Sequence, residues 1–258
     1  AGLQTKYMTI NWLDFGLNYL KAAADLLLPR RCIVCKNKLL LHEKHICMHC
    51  LADMPLTYFW NRSHNPMSDK FNLAIQNSLE KKGREKYAYA CALFYYDNDG
   101  IYRHIPYQIK YQGNLQAGKF FGKMLGRRMA AEVLWQDVDC VVPVPLHWKR
   151  KWKRGYNQAE IIASGISRET GIPMRTDILR RHRRTRTQTV IKVEEKARNV
   201  SQAFSIRNVP CQDIRHILLV DDVFTTGSTL TACFQALRTV FPPSVRISVA
   251  TLGFVGGA

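Results

Sequence analysis

Ile217-Leu218-Leu219-Val220-Asp221-Asp222-Val223-Phe224-Thr225-Thr226-Gly227-Ser228-Thr229-Leu230 puts an apolar run, paired carboxylates and a hydroxyl-rich glycine turn in direct succession. The run Ile217 to Val220 is too short for a helix and rich in branched side chains, so it predicts a strand buried on both faces, the usual state of a parallel sheet. Ligands of open α/β sheets bind outside the strand ends, which is where Asp221 and Asp222 fall. Successive strand residues point to opposite sides, so the two carboxylates would grip one ligand from two directions. Thr225, Thr226, Gly227, Ser228 and Thr229 then lead into an amphipathic helix. Gly227 permits positive φ and close backbone approach, while N–H groups, helix dipole and hydroxyls favour an anion. Carboxylates for sugar hydroxyls beside donors for phosphate describe a ribose 5-phosphate site.

Other phosphate-binding patterns fail here. No lysine follows Gly227, as a Walker loop requires, and a dinucleotide fingerprint needs three glycines where this stretch has one. A receiver domain also opens with a strand and paired aspartates, but most of it would have to follow Asp222, and little sequence does.

The 258 residues carry a formal charge of +18, a positive field suited to nucleic acid, anionic lipid or polyphosphate. Among the eight cysteines, Cys32-x-x-Cys35 and Cys47-x-x-Cys50 form two knuckles whose four thiolates suit a closed, structural Zn²⁺ site. A redox pair is the alternative reading, against which stand the doubled motif and the missing βαβ pattern. Cys91, Cys140, Cys211 and Cys233 read as reduced thiols, and a cytoplasmic location follows. Residues 10–28 are apolar at helical spacing but interrupted by Asp14, Lys21 and Asp25, giving neither a membrane span nor an export signal.

The expected organisation is an amphipathic helix over residues 1–29, a zinc module over 30–56, a connector over 57–87 with a short helix near 71–79, and an α/β domain over 88–258. Within that domain the pattern predicts strands at 90–96, 138–145, 178–182, 203–206, 217–220 and 245–252. Helices are expected at 101–110, 116–132, 157–169, 194–199 and 228–240. The alternation implies a largely parallel, twisted sheet flanked by helices.

Val141-Val142-Pro143-Val144-Pro145-Leu146-His147 ends one buried strand, and the dense basic run Trp148 to Gln158 is expected as the loop after it. Opposite a ribose-phosphate loop, Arg150 and Arg154 are placed to receive a diphosphate bidentately. Lys149, Lys151, Trp152 and Lys153, helped by Arg183, Arg184 and Arg186, set cations beside stackable rings, the two components of a single-strand nucleic-acid groove. No helix-turn-helix pattern is visible.

The stretch Asp221 to Thr229 resembles the diphosphate-sugar signature of type I phosphoribosyltransferases. Val141 to His147 with Arg150, Arg154, Gly155, Tyr156, Asn157, Gln158 and Ala159 resembles the pattern VPVPLH-x-x-R-x-x-x-R-G-(F/Y)-N-Q-A of the ComF family. Lys110 with Gly113, Thr185 with Gln188, and Asn199 with Ala203-Phe204 are similar to its weaker motifs. The resemblance implies a type I phosphoribosyltransferase-like domain behind a four-cysteine zinc module, binding of phosphoribosyl pyrophosphate with Mg²⁺, and a cytoplasmic role with single-stranded DNA and the uptake machinery during natural transformation. The alternative is an active transferase moving ribose 5-phosphate to a base or amine. Purine-salvage relatives that use a base carry an acid where this chain has Thr225, so no general base is evident and catalytic residues are left unassigned.

Overall fold

The computed structural model describes residues 29–79, 85–182, 203–207 and 213–256. It divides into two compact units, Ala1–Asp53 and Met54–Ala258. The expected helices over 1–29 and 194–199 lie outside the described residues, apart from residue 29.

In the first unit the backbone folds around the two knuckles. Arg31 bridges Lys38 antiparallel, and Lys36 takes φ +65° as the chain turns after Cys35. Helix α1 (Met48–Ala52) starts from Cys47 as its N-cap. Glu43 accepts the N–H groups of Leu40 at 2.7 Å and Met48 at 2.6 Å, tying the loop between knuckles to α1.

The second unit is built on a four-stranded parallel sheet in the order β1 (Ala90–Tyr95), β6 (Arg246–Phe254), β5 (His216–Phe224), β2 (Cys140–Pro143). A separate antiparallel pair joins β3 (Leu179–Arg181) to β4 (Phe204–Ile206). Strand β5 is central and buried along most of its length, as its apolar run requires. It runs further than expected: Asp221 pairs with Thr251 and Val223 with Gly253, so β6 keeps the acidic residues inside the strand. Edge strand β2 is shorter than expected, ending at Pro143, which cannot donate to a ladder.

Among the described residues, the helices of this unit are α2 (Pro66–Ser78), α3 (His104–Tyr111), α4 (Leu115–Ala130), α5 (Trp148–Arg154), α6 (Gln158–Thr170) and α7 (Ser228–Arg238). Two of them correct the sequence reading. The stretch 57–87, expected as a connector with a short helix near 71–79, holds the longer α2, which the Asn65–Ser68 capping box and N1 proline start at Pro66. Its Met67, Phe71 and Ile75 are buried, with Phe71 edge-on to Phe224 and Phe234. The basic run expected as a loop is helix α5; the carbonyl of His147 accepts the N–H groups of Arg150 and Lys151, both at 2.9 Å. Nothing between Trp148 and Arg154 breaks a helix, and Gly155 at φ +82° ends it.

Helices α4 and α6 pack on each other with backbones in contact. A Cβ at Gly122 would lie 2.3 Å from the carbonyl oxygen of Ile162, and one at Gly165 would lie 2.6 Å from that of Lys119. No helix among the described residues is long and apolar enough to cross a membrane.

Candidate functional site

In the first unit, the Sγ atoms of Cys32, Cys35, Cys47 and Cys50 all lie within 4.8 Å of one another. The 3.7 Å between Cys35 and Cys47 matches the roughly 3.8 Å edge of a tetrahedron with metal–sulfur bonds of about 2.3 Å. The N–H of Cys47 points at Cys32 Sγ (3.4 Å) and that of Cys50 at Cys47 Sγ (3.5 Å), donors that stabilise thiolate charge. Burial pushes the Cys32 thiol up, but backbone donors from Cys47, Cys35 and Val34 overcome it and bring the pKa to about 7. Burial and the neighbouring sulfurs hold Cys50 far above its usual range. The donor set and spacing fit zinc with a closed shell. Cys91, Cys140 and Cys233 are separate buried thiols, and burial raises all three.

The second unit opens a cleft of about 350 Å³ where β2 and β5 end. Asp221, Asp222, Thr225 and Thr229 line it from β5 and the turn beyond; Arg150 and Arg154 reach it from α5. The structure thus brings two carboxylates, two hydroxyls and two guanidinium groups from separate stretches of sequence around one space.

The turn after β5 is built as its residues require. Gly227 holds φ +76° as the N-cap of α7, and a Cβ there would lie 2.7 Å from Phe224 Cζ. Thr226 and Ser228 share a hydroxyl hydrogen bond of 2.7 Å. They and Thr225 are exposed, while Gly227 is buried beneath them. Lys70 of α2 donates to the Thr225 carbonyl at 3.0 Å, pinning the start of the turn and adding a cation beside it.

The two carboxylates diverge, as alternation demands. Asp222 is buried, and its Oδ2 lies 2.8 Å from Lys110 Nζ on α3. That oxygen has no hydrogen bond of good angle, so the contact is an ion pair first. Burial opposes the Lys110 charge, but Asp222, with Asp221 behind it, holds the ammonium above the usual lysine range. Asp221 keeps some exposure at the pocket mouth and is otherwise enclosed. Burial and then the Asp222 charge push its pKa up to about 7, against the pull of Lys110 and Arg181. Arg181, from β3, lines the same cleft; burial and the nearby Arg150 charge lower it from the usual guanidinium range.

The segment after α5 supports the pocket mechanically. Arg154 donates to Gln158 Oε1 at 2.6 Å and sits 5.4 Å over the Tyr111 ring. Buried Asn157 caps α6 by accepting from Ala159 N–H (3.1 Å) and donates to the Val144 carbonyl (3.0 Å), locking that helix to the end of β2. The Tyr156 hydroxyl donates to the Ile109 carbonyl, fastening α3 to the same corner.

Sequence reasoning left three groups off the candidate site. Lys110 stood out only beside Gly113 as part of a weaker motif, and neither Arg181 nor Lys70 was assigned to the site. Of the residues expected to meet nucleic acid, Lys151 is half-exposed and paired with Glu160 at 3.0 Å. Trp152 is 88% exposed and Trp148 is 61% exposed, large rings standing in solvent. The side chains of Lys149 and Lys153, and residues Arg183, Arg184 and Arg186, lie outside the described residues, as do Thr185, Gln188 and Asn199.

Residues 153–252 match the phosphoribosyl transferase domain. Competence protein F of Haemophilus influenzae is 36% identical over 110 residues, 42% of this chain and 48% of that protein. DNA utilization protein YhgH of Escherichia coli K12 is 37% identical over 99 residues, 38% of this chain and 43% of its own length. Competence protein ComFC of Bacillus subtilis is 31% identical over 91 residues, 35% of this chain and 34% of the relative. The aligned stretch spans less than half of each of these proteins. A four-cysteine cluster, a parallel sheet flanked by helices, the phosphoribosyl transferase match and these relatives agree in supporting a ComF-family protein.

Proposed function

We propose that this protein binds phosphoribosyl pyrophosphate in the cleft at the end of β5 and handles single-stranded DNA during DNA uptake in the cytoplasm. The observation that carries the first half is the convergence of Asp221, Asp222, Thr225 and Thr229 with Arg150 and Arg154 on one cleft. In this reading Asp221 and Asp222 hold the ribose hydroxyls, Thr225 to Thr229 cradle the 5-phosphate at the start of α7, and the arginines take the diphosphate. Mg²⁺ would neutralise the diphosphate charge; the paired carboxylates are hard oxygen donors compatible with a cation there, Asp222 Oδ2 being already ion-paired with Lys110. Four thiolates would hold structural zinc in the first unit, contributing its folding energy.

The second half draws on the exposed Trp148 and Trp152 beside Lys151, and on relatives named for competence and DNA utilization. Thr225 is exposed where salvage enzymes place an acid and supplies no base at that position; that favours binding over transfer. Calorimetry with phosphoribosyl pyrophosphate and Mg²⁺, on the parent and on Asp222→Ala, tests the site. Binding lost in the variant is expected, and equal affinity would overturn the assignment. Diphosphate release in the presence of any base or amine would establish the transferase instead. Gel retardation of labelled single strands near physiological salt tests the DNA half.

A further inference from the structure

The sugar-phosphate cleft does not end at Arg181. A second cavity of about 260 Å³ shares Pro145, Leu146 and Arg181 with it, and continues past Arg180, His182 and Arg207 to Trp148. An apolar depression between Trp148 and Trp152 follows, so that neighbouring hollows are joined by common walls. Cation and ring alternate along this path. Arg180, His182 and Arg207 are exposed on the β3–β4 pair, whereas the carboxylate in the cavity, Glu160, is already neutralised by Lys151. The Trp148 ring lies 5.8 Å from that of His147 and 30° off its plane, a stacking contact that leaves most of the side chain in solvent. A cavity of this size with net positive charge and an aromatic rim suits a phosphate joined to a flat ring.

We propose that the second cavity seats one nucleotide of a single DNA strand, its phosphate on Arg180 and Arg207 and its base against Trp148. Arg181, in the wall common to both cavities, then serves either a diphosphate in the first or a strand phosphate in the second. Strand and phosphoribosyl pyrophosphate are therefore antagonists. This inference rests on the reading of the protein as a single-strand binder, and adds where the strand lies and how it is coupled to the other ligand.

The test is fluorescence anisotropy of a labelled oligothymidylate on the whole chain, at constant ionic strength, with and without phosphoribosyl pyrophosphate and Mg²⁺. In the parent, the saturating sugar diphosphate should weaken the strand by about fivefold or more. Trp148→Ala should cost about tenfold in strand affinity, and Arg207→Ala should flatten the salt slope by about 0.7. Neither should change calorimetric affinity for phosphoribosyl pyrophosphate, since neither residue lines its cleft. Arg181→Gln should remove the antagonism; if that variant does not fold, the antagonism in the parent still decides. A parent that binds the strand equally with and without the sugar diphosphate overturns the coupling. Unchanged strand affinity in both Trp148→Ala and Arg207→Ala overturns the seat, leaving single-strand binding to the Trp152 face. A parent that binds no strand near physiological salt overturns both this inference and the DNA half of the proposed function.

Discussion

Asp221 offers a measurement in which the geometry of the cleft appears as protons. Its pKa of about 7 means that the empty site holds this carboxylate about nine-tenths protonated at pH 6 and about one-tenth at pH 8. If Asp221 accepts hydrogen bonds from ribose hydroxyls as a carboxylate, binding at pH 6 must expel that proton. Affinity should then fall about tenfold between pH 8 and pH 6, about 1.4 kcal/mol, with release of close to one proton at the lower pH. The ligand's own phosphates also titrate near pH 6, so the parent alone does not isolate the residue. Asp221→Asn does, because it removes the chain's share of the proton release and leaves the ligand's.

Titration calorimetry in buffers of different ionisation enthalpy counts the protons. Parent and variant should differ by nearly one released proton at pH 6 and by about a tenth at pH 8. The affinity advantage of the parent should shrink about tenfold over the same range, since a protonated aspartate resembles asparagine. Equal proton release in the two proteins at pH 6, or an affinity gap that does not change with pH, would refute the reasoning. A stability measurement checks the same residue without ligand. Because the folded pKa is raised, the fold favours the protonated form; the penalty for ionised Asp221 starts near the unfolded value of about 4 and is complete above about 7. Asp221→Asn should therefore raise the melting temperature more at pH 8 than at pH 5.

Gly122→Ala should lower stability by about 2–3 kcal/mol in chemical denaturation, because its Cβ meets backbone at 2.3 Å. Gly118→Ala, whose Cβ meets only side chains, Ile161 at 2.8 Å and Ile109 at 3.4 Å, should cost less. Metal analysis should find one zinc per chain in the parent and a loss in Cys32→Ser; stoichiometric zinc in the variant would refute the four-thiolate site. Gly227→Val should abolish calorimetric binding of phosphoribosyl pyrophosphate while leaving the far-ultraviolet dichroism of the fold in place, since it fills a left-handed position against Phe224. Burial holds the His216 imidazole below its usual range against the pull of Asp137, so stability contributed by the neutral ring above about pH 6.5 should decline as pH falls toward the folded value. A His216→Gln variant should show a shallower decline in melting temperature over that interval.

The centre of the fold was legible because its signals are local. Branched residues from Ile217 to Val220, the acids after them and a single glycine specify strand, strand end and turn from one stretch of chain. Where the reading failed, partners distant in sequence decided. Strand β5 extends through Asp221 and Asp222 because β6 stays paired alongside, which no property of the acidic residues reveals. The late start expected for helix α2 is a different kind of error: Asn65, Pro66, Ser68 and Asp69 are a complete helix start, obscured by the polar composition around them. Helix α5 was missed because a dense run of charge was treated as solvated loop, although lysine, arginine and tryptophan all tolerate a helix.

The candidate site divides in the same way. The loop Thr225 to Thr229 declares itself through glycine and hydroxyls, but Lys110 gains its meaning from Asp222, far along the chain and 2.8 Å away in the fold. That ion pair changes what the cleft asks of a ligand. An ammonium already answers the buried carboxylate, so a sugar seated as proposed would displace it or share Asp222 with it. At Asp221 burial and the Asp222 charge outweigh the pull of Lys110 and Arg181 and raise the pKa to about 7. The two adjacent acids thus meet different neighbours, and a ligand that recruited both would compete with the Lys110 ammonium at Asp222 and with a proton at Asp221.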